Sequence, residues 1–388
     1  MLSRRQSLAF LPAAILLPGL AFADIKAPPD RRLVVIILRG AMDGLGAVAP
    51  LADPDYAQLR AGLALGTPAA PGGALPLDGR FWLHPALAPV HPLWTTGEML
   101  VVHAVASPYR ERSHFDAQNM IETGMVRPNM GSDGWLNRTL ASLGTGAMRG
   151  IAFTPELPLV LKGHAPVSNW LPDGRPADIS ASVTRMYGPD HALSAAYAQG
   201  LAARGIVEAA SVGAPQNRDL RSLALIAGRT LARDDGPNIA VLEVGGWDTH
   251  VGQGAGRGRL AGALGNLAAG VVALKTGLGE RWGQTMCLAI TEFGRTAHPN
   301  GAGGTDHGTA TAMLAFGGAV DGRRVVADWP GLSAGALYQQ RDLAPTADLR
   351  GVLKGVLGDH LRVTKAALEG RIFPGSASVG AMAGLVRT

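Results

Sequence analysis

Four short stretches of the chain set carboxylates, imidazoles or a hydroxyl among glycines, where the backbone can turn sharply. Asp43 stands in Leu38-Arg39-Gly40-Ala41-Met42-Asp43-Gly44. Ser113 and His114 follow Arg110-Glu111-Arg112, with Asp116 three residues after the serine. Asp248 and His250 lie two apart in Gly245-Gly246-Trp247-Asp248-Thr249-His250. Glu292 and Arg295 occur in Thr291-Glu292-Phe293-Gly294-Arg295-Thr296, and a Gly-rich loop leads on to Gly304-Thr305-Asp306-His307-Gly308. A hard carboxylate beside an imidazole suits Zn, Mn or Fe. Asp248 and His250 can chelate one cation from a single turn, and Glu292, Asp306 and His307 are placed to converge on it. Ser113-x-x-Asp116 reads as a helix start. The free N–H groups and positive dipole end there favour an oxyanion, and a Ser at that position is a nucleophile once a metal lowers its pKa. Arg110 or Arg112 could clamp a phosphate or sulfate oxygen bidentately.

Each stretch also has a plainer reading. Asp43-Gly44 serves as a turn, Ser113 as a simple N-cap, and Asp248 with His250 as a capping acid beside a surface imidazole. What favours the chemical reading is joint occurrence at strand ends. The runs 33–38, 99–105, 239–244, 286–290 and 312–316 are short, apolar and rich in β-branched residues, as strands buried on both faces of a parallel sheet should be. Amphipathic segments of helix length lie between them, at 115–123, 190–200, 219–233, 260–278 and 346–357, the last opened by Pro345-Thr346-Ala347-Asp348. Alternating strands and helices imply an α/β fold, with a mostly parallel central sheet sandwiched between helices, and ligand sites then form at the carboxyl edge of the sheet. Residues 62–85 and 155–180, rich in Gly, Pro and Ala, read as long loops over that sheet. His103, inside an apolar run, reads as a core residue. His84, His91, His164, His191 and His360 lack a comparable context, and His298 stays a secondary candidate near the fourth stretch.

Composition narrows the classes. The chain has 388 residues, 53 of them Gly and 26 Pro; the glycine share is about twice the usual ~7 %. One Cys excludes a disulfide framework and a Cys-based metal site within one chain, and Cys287, in an apolar run, reads as a small buried hydrophobe. The net charge is +5 from 35 basic and 30 acidic residues, the basic ones scattered. A nucleic-acid surface would show a basic stripe instead. Residues 1–23 read as a targeting segment: Arg4-Arg5, an apolar stretch from Leu8 to Leu20, and Ala21-Phe22-Ala23 as a cleavage site. The paired arginines resemble the twin-arginine export signal. The mature protein is then expected to begin near Asp24, as one domain to residue 388, in the periplasm or outside the cell. Beyond the leader no run of ~18 apolar residues appears, so no membrane span is expected.

Together the leader, Leu38-Arg39-Gly40-x-x-Asp43-Gly44, Arg112-Ser113-His114-Phe115, Gly246-Trp247-Asp248-Thr249-His250, Thr291-Glu292-Phe293-Gly294-Arg295-Thr296 and Asp306-His307-Gly308 resemble the bacterial family labelled "domain of unknown function 1501". That family in turn is similar to the alkaline phosphatase and sulfatase superfamily. The resemblance implies an alkaline phosphatase-like fold. It makes Asp43, Asp248, His250, Glu292, Asp306 and His307 the metal-binding set, and Ser113 the nucleophile with Arg112, His114 and Arg295 around it. It also implies a divalent cofactor, Zn first, with Mn, Fe, Ca or Mg as other fits. The chain departs from the pattern in three ways. Asp248 and His250 are closer together than in alkaline phosphatases, Phe293 stands after Glu292 where a second His belongs, and no Cys-x-Pro-x-Arg sequence occurs, so formylglycine chemistry is not implied.

The expected function is an exported metal-dependent hydrolase or transferase of phosphate or sulfate esters, acting on a small-molecule or glycan ester. The alternatives are a non-catalytic periplasmic protein that binds a ligand or partner on the same fold, and an enzyme of other chemistry.

Overall fold

The computed structural model describes residues 30–68, 73–144, 150–172 and 191–387. The leader, with its paired arginines and cleavage site, lies outside the described residues. In chain order the strands are β1 (Arg32–Leu38), β2 (Val48–Ala49), β3 (Leu75–Pro76), β4 (Trp82–Leu83), β5 (Met99–Ala106), β6 (Gly150–Ala152), β7 (Val167–Asn169), β8 (Ile239–Val244), β9 (Thr285–Thr291), β10 (Thr311–Phe316), β11 (Arg324–Val326) and β12 (Ala347–Asp348). The five apolar runs are all strands: β1, β5, β8, β9 and β10. They belong to one sheet in the order β11-β5-β10-β9-β1-β8-β6-β7, with β12 also on β5.

That sheet is mostly parallel and lies between helices. β1 runs parallel to both β8 and β9, and β6, β7, β11 and β12 also pair in parallel. β10 alone runs the other way, against β5 and β9. The side-chain period of two explains why β1 is apolar throughout. Val34, Ile36 and Leu38 face one core, and Leu33, Val35 and Ile37 the other. Full burial of such side chains contributes roughly 1.5–3 kcal/mol each. Helices Leu220–Ala232 and Arg259–Leu278 cover the first face. Leu349–Leu361 and Trp135–Ser142 cover the second.

Three local expectations change. The last helix starts at Leu349, not Thr346, because Ala347–Asp348 pair with the end of β5; Asp348 is the cap, accepting from the Arg350 N–H. The helix expected at 190–200 runs from His191 to Ser211, passing through Gly200 and Gly205. Residues 62–85 are not simply a loop: β3 and β4 join β2 in a small antiparallel sheet. The segment Arg259–Gln284 is long and apolar enough to cross a membrane by length and composition alone. In the fold, its Leu260, Leu264, Leu267, Val271 and Leu274 are buried in the first core.

Candidate metal centre

One edge of the sheet gathers the chemistry. His114 opens the helix His114–Thr123 that follows β5. Asp248 and His250 lie in the loop after β8, and Glu292 directly follows β9. His307 precedes β10, and the reversed direction of β10 brings its start to the edge where its neighbours end. Close backbone approach fixes the loops. Gly40 takes φ +121°, and a Cβ there would stand 2.6 Å from the Asp248 nitrogen. A Cβ on Gly304 would overlap the carbonyl oxygens of Thr249 and His250.

His114, Asp248 and His307 present ligand atoms that all lie within 4.8 Å of one another. The Nε2 of His307 is 3.0 Å from His114 Nε2 and 2.9 Å from His250 Nε2. Asp248 Oδ1 is 3.0 Å from His250 Nε2 and 3.3 Å from His307 Nε2, and its Oδ2 is 3.6 Å from His114 Nε2. Each imidazole is tied down through its other nitrogen: His114 Nδ1 to Glu292 Oε1 at 2.9 Å, His250 Nδ1 to Asp306 Oδ1 at 3.0 Å, and His307 Nδ1 to the Arg112 carbonyl at 3.0 Å. All three partners are acceptors, so each Nδ1 carries the proton and each Nε2 presents a lone pair. Lone pairs turned on one another at hydrogen-bond distance repel unless a cation lies between them. Two ligands on one tetrahedral Zn, each at ~2.0–2.1 Å, stand about 3.3 Å apart, and the observed spacings bracket that value. The donor set therefore fits a divalent metal, with His114, Asp248 and His307 as its core and His250 adjoining. The Nδ1 acceptors are the outer partners that fix ring orientation in metal sites.

Charge is arranged to match. The hydrogen bond to Glu292 raises the His114 pKa against the effect of burial. Burial lowers that of His307, and the neighbouring His114 and Arg295 add to it against the hydrogen bond with the Arg112 carbonyl. Burial works to raise the Asp248 carboxyl, but Arg295, His250 and His307 bring it below its ordinary value. Glu292, 1 % exposed, is likewise pushed up by burial and brought down by hydrogen bonds from His114 and Gln118. The Asp248 side chain is 45 % exposed, so the cluster opens to solvent on its side.

The structure thus draws together Asp248, His250, Glu292, Asp306, His307 and His114. His114, expected among the catalytic groups, turns its Nε2 into the cluster beside Asp248 and His307. Glu292 and Asp306, expected as ligands, hydrogen-bond His114 and His250; both Glu292 oxygens are engaged, Oε1 by His114, Gln118 and the Gly40 N–H, and Oε2 by Thr291. Asp43 is not in the cluster. It is buried, its Oδ2 paired with Arg60 and accepting from Gln253 Nε2 at 2.5 Å, so a guanidinium supplies the positive charge expected of a metal. Arg295, 1 % exposed, is spent on Asp248 Oδ1 at 2.5 Å and on Thr305. The Arg112 guanidinium is spent on Asp342 and Gln339, and Arg110 on the carbonyls of Ser107 and Tyr109. Arg112 adopts φ +62°, a left-handed conformation uncommon for a non-glycine residue, and its carbonyl is the one that holds His307. Ser113 takes the N-cap position without a side-chain capping bond, and its hydroxyl lies against the Tyr109 phenol.

Phe293, standing where a second His was expected, is 4 % exposed and packs against His114 and His307 with ring centroids 4.9 and 5.1 Å away. It forms an apolar wall behind both rings. Sequence reasoning missed Gln118 and Asn300, which donate to Glu292 and Asp306; a polar residue one turn after His114 was the available signal for Gln118. His103 and His360 are fully buried, and their Nε2 atoms are held by the carbonyls of Val48 and Arg32.

A family model described as "Protein of unknown function (DUF1501)" matches residues 105–372. No curated protein matches the chain. Among solved structures, the chain is 10 % identical to the C-terminal periplasmic domain of EcEptC from Escherichia coli in complex with Zn, covering 74 % of this chain and 73 % of that one at a TM-score of 0.36. It is 13 % identical to the phosphonate monoester hydrolase of Agrobacterium radiobacter, covering 86 % and 74 % at 0.37. It is 10 % identical to a TAB5 alkaline phosphatase mutant with Mg bound in the M3 site, covering 75 % and 92 % at 0.35.

Proposed function

This chain belongs to the DUF1501 family, and for it we propose an exported metal-dependent hydrolase or transferase of phosphate or sulfate esters. The observation that carries the reading is the convergence of His114, His307 and Asp248 at a solvent-facing sheet edge, with His250 alongside and each imidazole held by an acceptor on its far nitrogen. A divalent cation there, Zn by preference, would polarise an ester oxygen and make a nearby hydroxyl more acidic. Ser113, adjacent to His114, would form the new bond to phosphorus or sulfur through Oγ while the bond to the leaving alcohol breaks in line; water then releases the acid. The arginines expected to clamp the ester are engaged elsewhere. The free amides in the first turn of helix His114–Thr123 would take that role, since they carry no intrahelical acceptor. The leader's paired arginines support export through the twin-arginine route.

The test is turnover of a generic aryl phosphate and an aryl sulfate by the Zn-loaded protein, wild type against Ser113→Ala. Loss of at least ~10²-fold is expected on deleting a nucleophile. Equal turnover removes Ser113 from the mechanism, and no metal-dependent turnover of any ester overturns the hydrolase reading. A second reading, a ligand-binding protein without catalysis, draws on Phe293 in the place of a second histidine. It predicts saturable binding of an anion or glycan and no hydrolysis.

A further inference from the structure

Behind the metal centre runs a chain of buried hydrogen bonds. The Asp43–Arg60 ion pair anchors it, with Arg60 held further by the carbonyls of Thr296 and Ala297. Gln253 Nε2 donates to Asp43 Oδ2 at 2.5 Å. Gln253 Oε1 accepts from two hydroxyls, Thr249 Oγ1 at 2.7 Å and Thr305 Oγ1 at 2.6 Å. Thr305 Oγ1 in turn accepts from Arg295 Nε at 3.1 Å, and Arg295 reaches Asp248. Gln253, Thr249 and Thr305 are all 0 % exposed.

From this geometry we infer that Gln253 is the positioning residue that clamps the two ligand-bearing loops to each other. Thr249 sits between Asp248 and His250, and Thr305 two residues before His307. One amide oxygen therefore ties together the loops that supply three of the groups at the centre. Asp43 sets which way the amide points. A carboxylate only accepts, so it draws Nε2 and leaves Oε1 for the two hydroxyls. A glutamine meets these demands, accepting twice at one end and donating at the other. A glutamate would set two carboxylates together, and an apolar side chain would leave buried polar groups unpaired. The ion pair at Asp43 thus acts on the metal centre without touching it.

The inference rests on the metal centre proposed above. Its test is zinc affinity of the full chain by chelator competition, with the absorption spectrum of the Co-substituted protein as a readout of ligand geometry. Gln253→Met should weaken zinc binding by about 10–100-fold, the range for outer-shell partners, and alter the Co spectrum. Thr305→Val should weaken it in the same direction, and Thr305→Ser, which keeps the hydroxyl, should restore wild-type affinity and spectrum. If Gln253→Met does not fold, the Thr305 pair decides. Folded variants with wild-type affinity and spectrum overturn the clamp while leaving the metal centre standing. Wild-type protein that takes up no metal overturns both.

Discussion

The Nε2 atoms of His114 and His307 lie 3.0 Å apart, while their Nδ1 atoms are held by Glu292 and by the Arg112 carbonyl. Two neutral rings so tethered cannot hydrogen-bond to each other, because each offers only a lone pair across the gap. A cation or a shared proton satisfies both. The carboxylate of Asp248 beside them favours the cation, because it adds a third donor of the kind that divalent metals take with imidazole.

Glu292 should matter for affinity rather than for ligand count. Its hydrogen bond raises the basicity of His114, and carboxylates in that position raise the ligand strength of the ring. Glu292→Gln should leave metal stoichiometry unchanged and weaken zinc binding about tenfold or more, measured by chelator competition. An unchanged affinity would show that Glu292 serves packing alone.

Acid should destabilise the fold through two histidines distant from the metal centre. Burial holds His103 and His360 down to about 4, against about 6.5 in an unfolded chain. At neutral pH both states are largely unprotonated. As pH falls from about 6.5 to 4, the unfolded chain takes up two protons that the folded chain refuses. Stability then falls with pH, at most about 2.7 kcal/mol per unit for two groups, and the loss is complete below about 4. His114 acts in the opposite sense: its raised pKa contributes stability at low pH that is lost as pH rises through its folded value. It is a single, partly exposed group, so the buried pair prevails. Urea unfolding at pH 7 and pH 5 should give the lower stability at pH 5; equal stabilities would contradict the assignment.

The Asp43–Arg60 pair should be costly to break from one side. Both side chains are buried, and Asp43 Oδ1 has no hydrogen-bond partner among the described residues. Arg60→Met leaves an unpaired buried carboxylate and should cost about 3–5 kcal/mol. The double variant Arg60→Met with Asp43→Leu should recover part of that loss. Denaturant unfolding of the single and double variants measures the coupling, and simple additivity would deny it.

Cys287 should be inert in the native protein. It is fully buried in β9, and burial pushes its thiol far up from the ordinary value. A thiol reagent should label it only after denaturant is added. Prompt labelling of the native protein would contradict the burial.

The sheet could be read from sequence because its five main strands are short apolar runs ended by turn residues, and a strand buried on both faces needs no other signal. The site's residue types could be read too, since acids and imidazoles stand where those strands stop. Their roles could not. Whether Glu292 binds a metal or holds His114 depends on which atoms come within 3 Å, and spacing along a chain does not contain that. Asp43 is the sharpest case. Its partner Arg60 lies 17 residues away in a short helix that carries no signal of pairing. His114 stands beside Ser113 in the sequence, but its place in the cluster depends on His307, which reaches the same edge because β10 runs against its neighbours.

The most direct test is metal content. Wild-type protein, loaded with zinc and freed of excess by gel filtration, should hold at least one equivalent per chain by elemental analysis. The double variant Asp248→Ala/His307→Ala, shown folded by circular dichroism, should hold none. Equal zinc in the two proteins, or none in the wild type, would contradict the account.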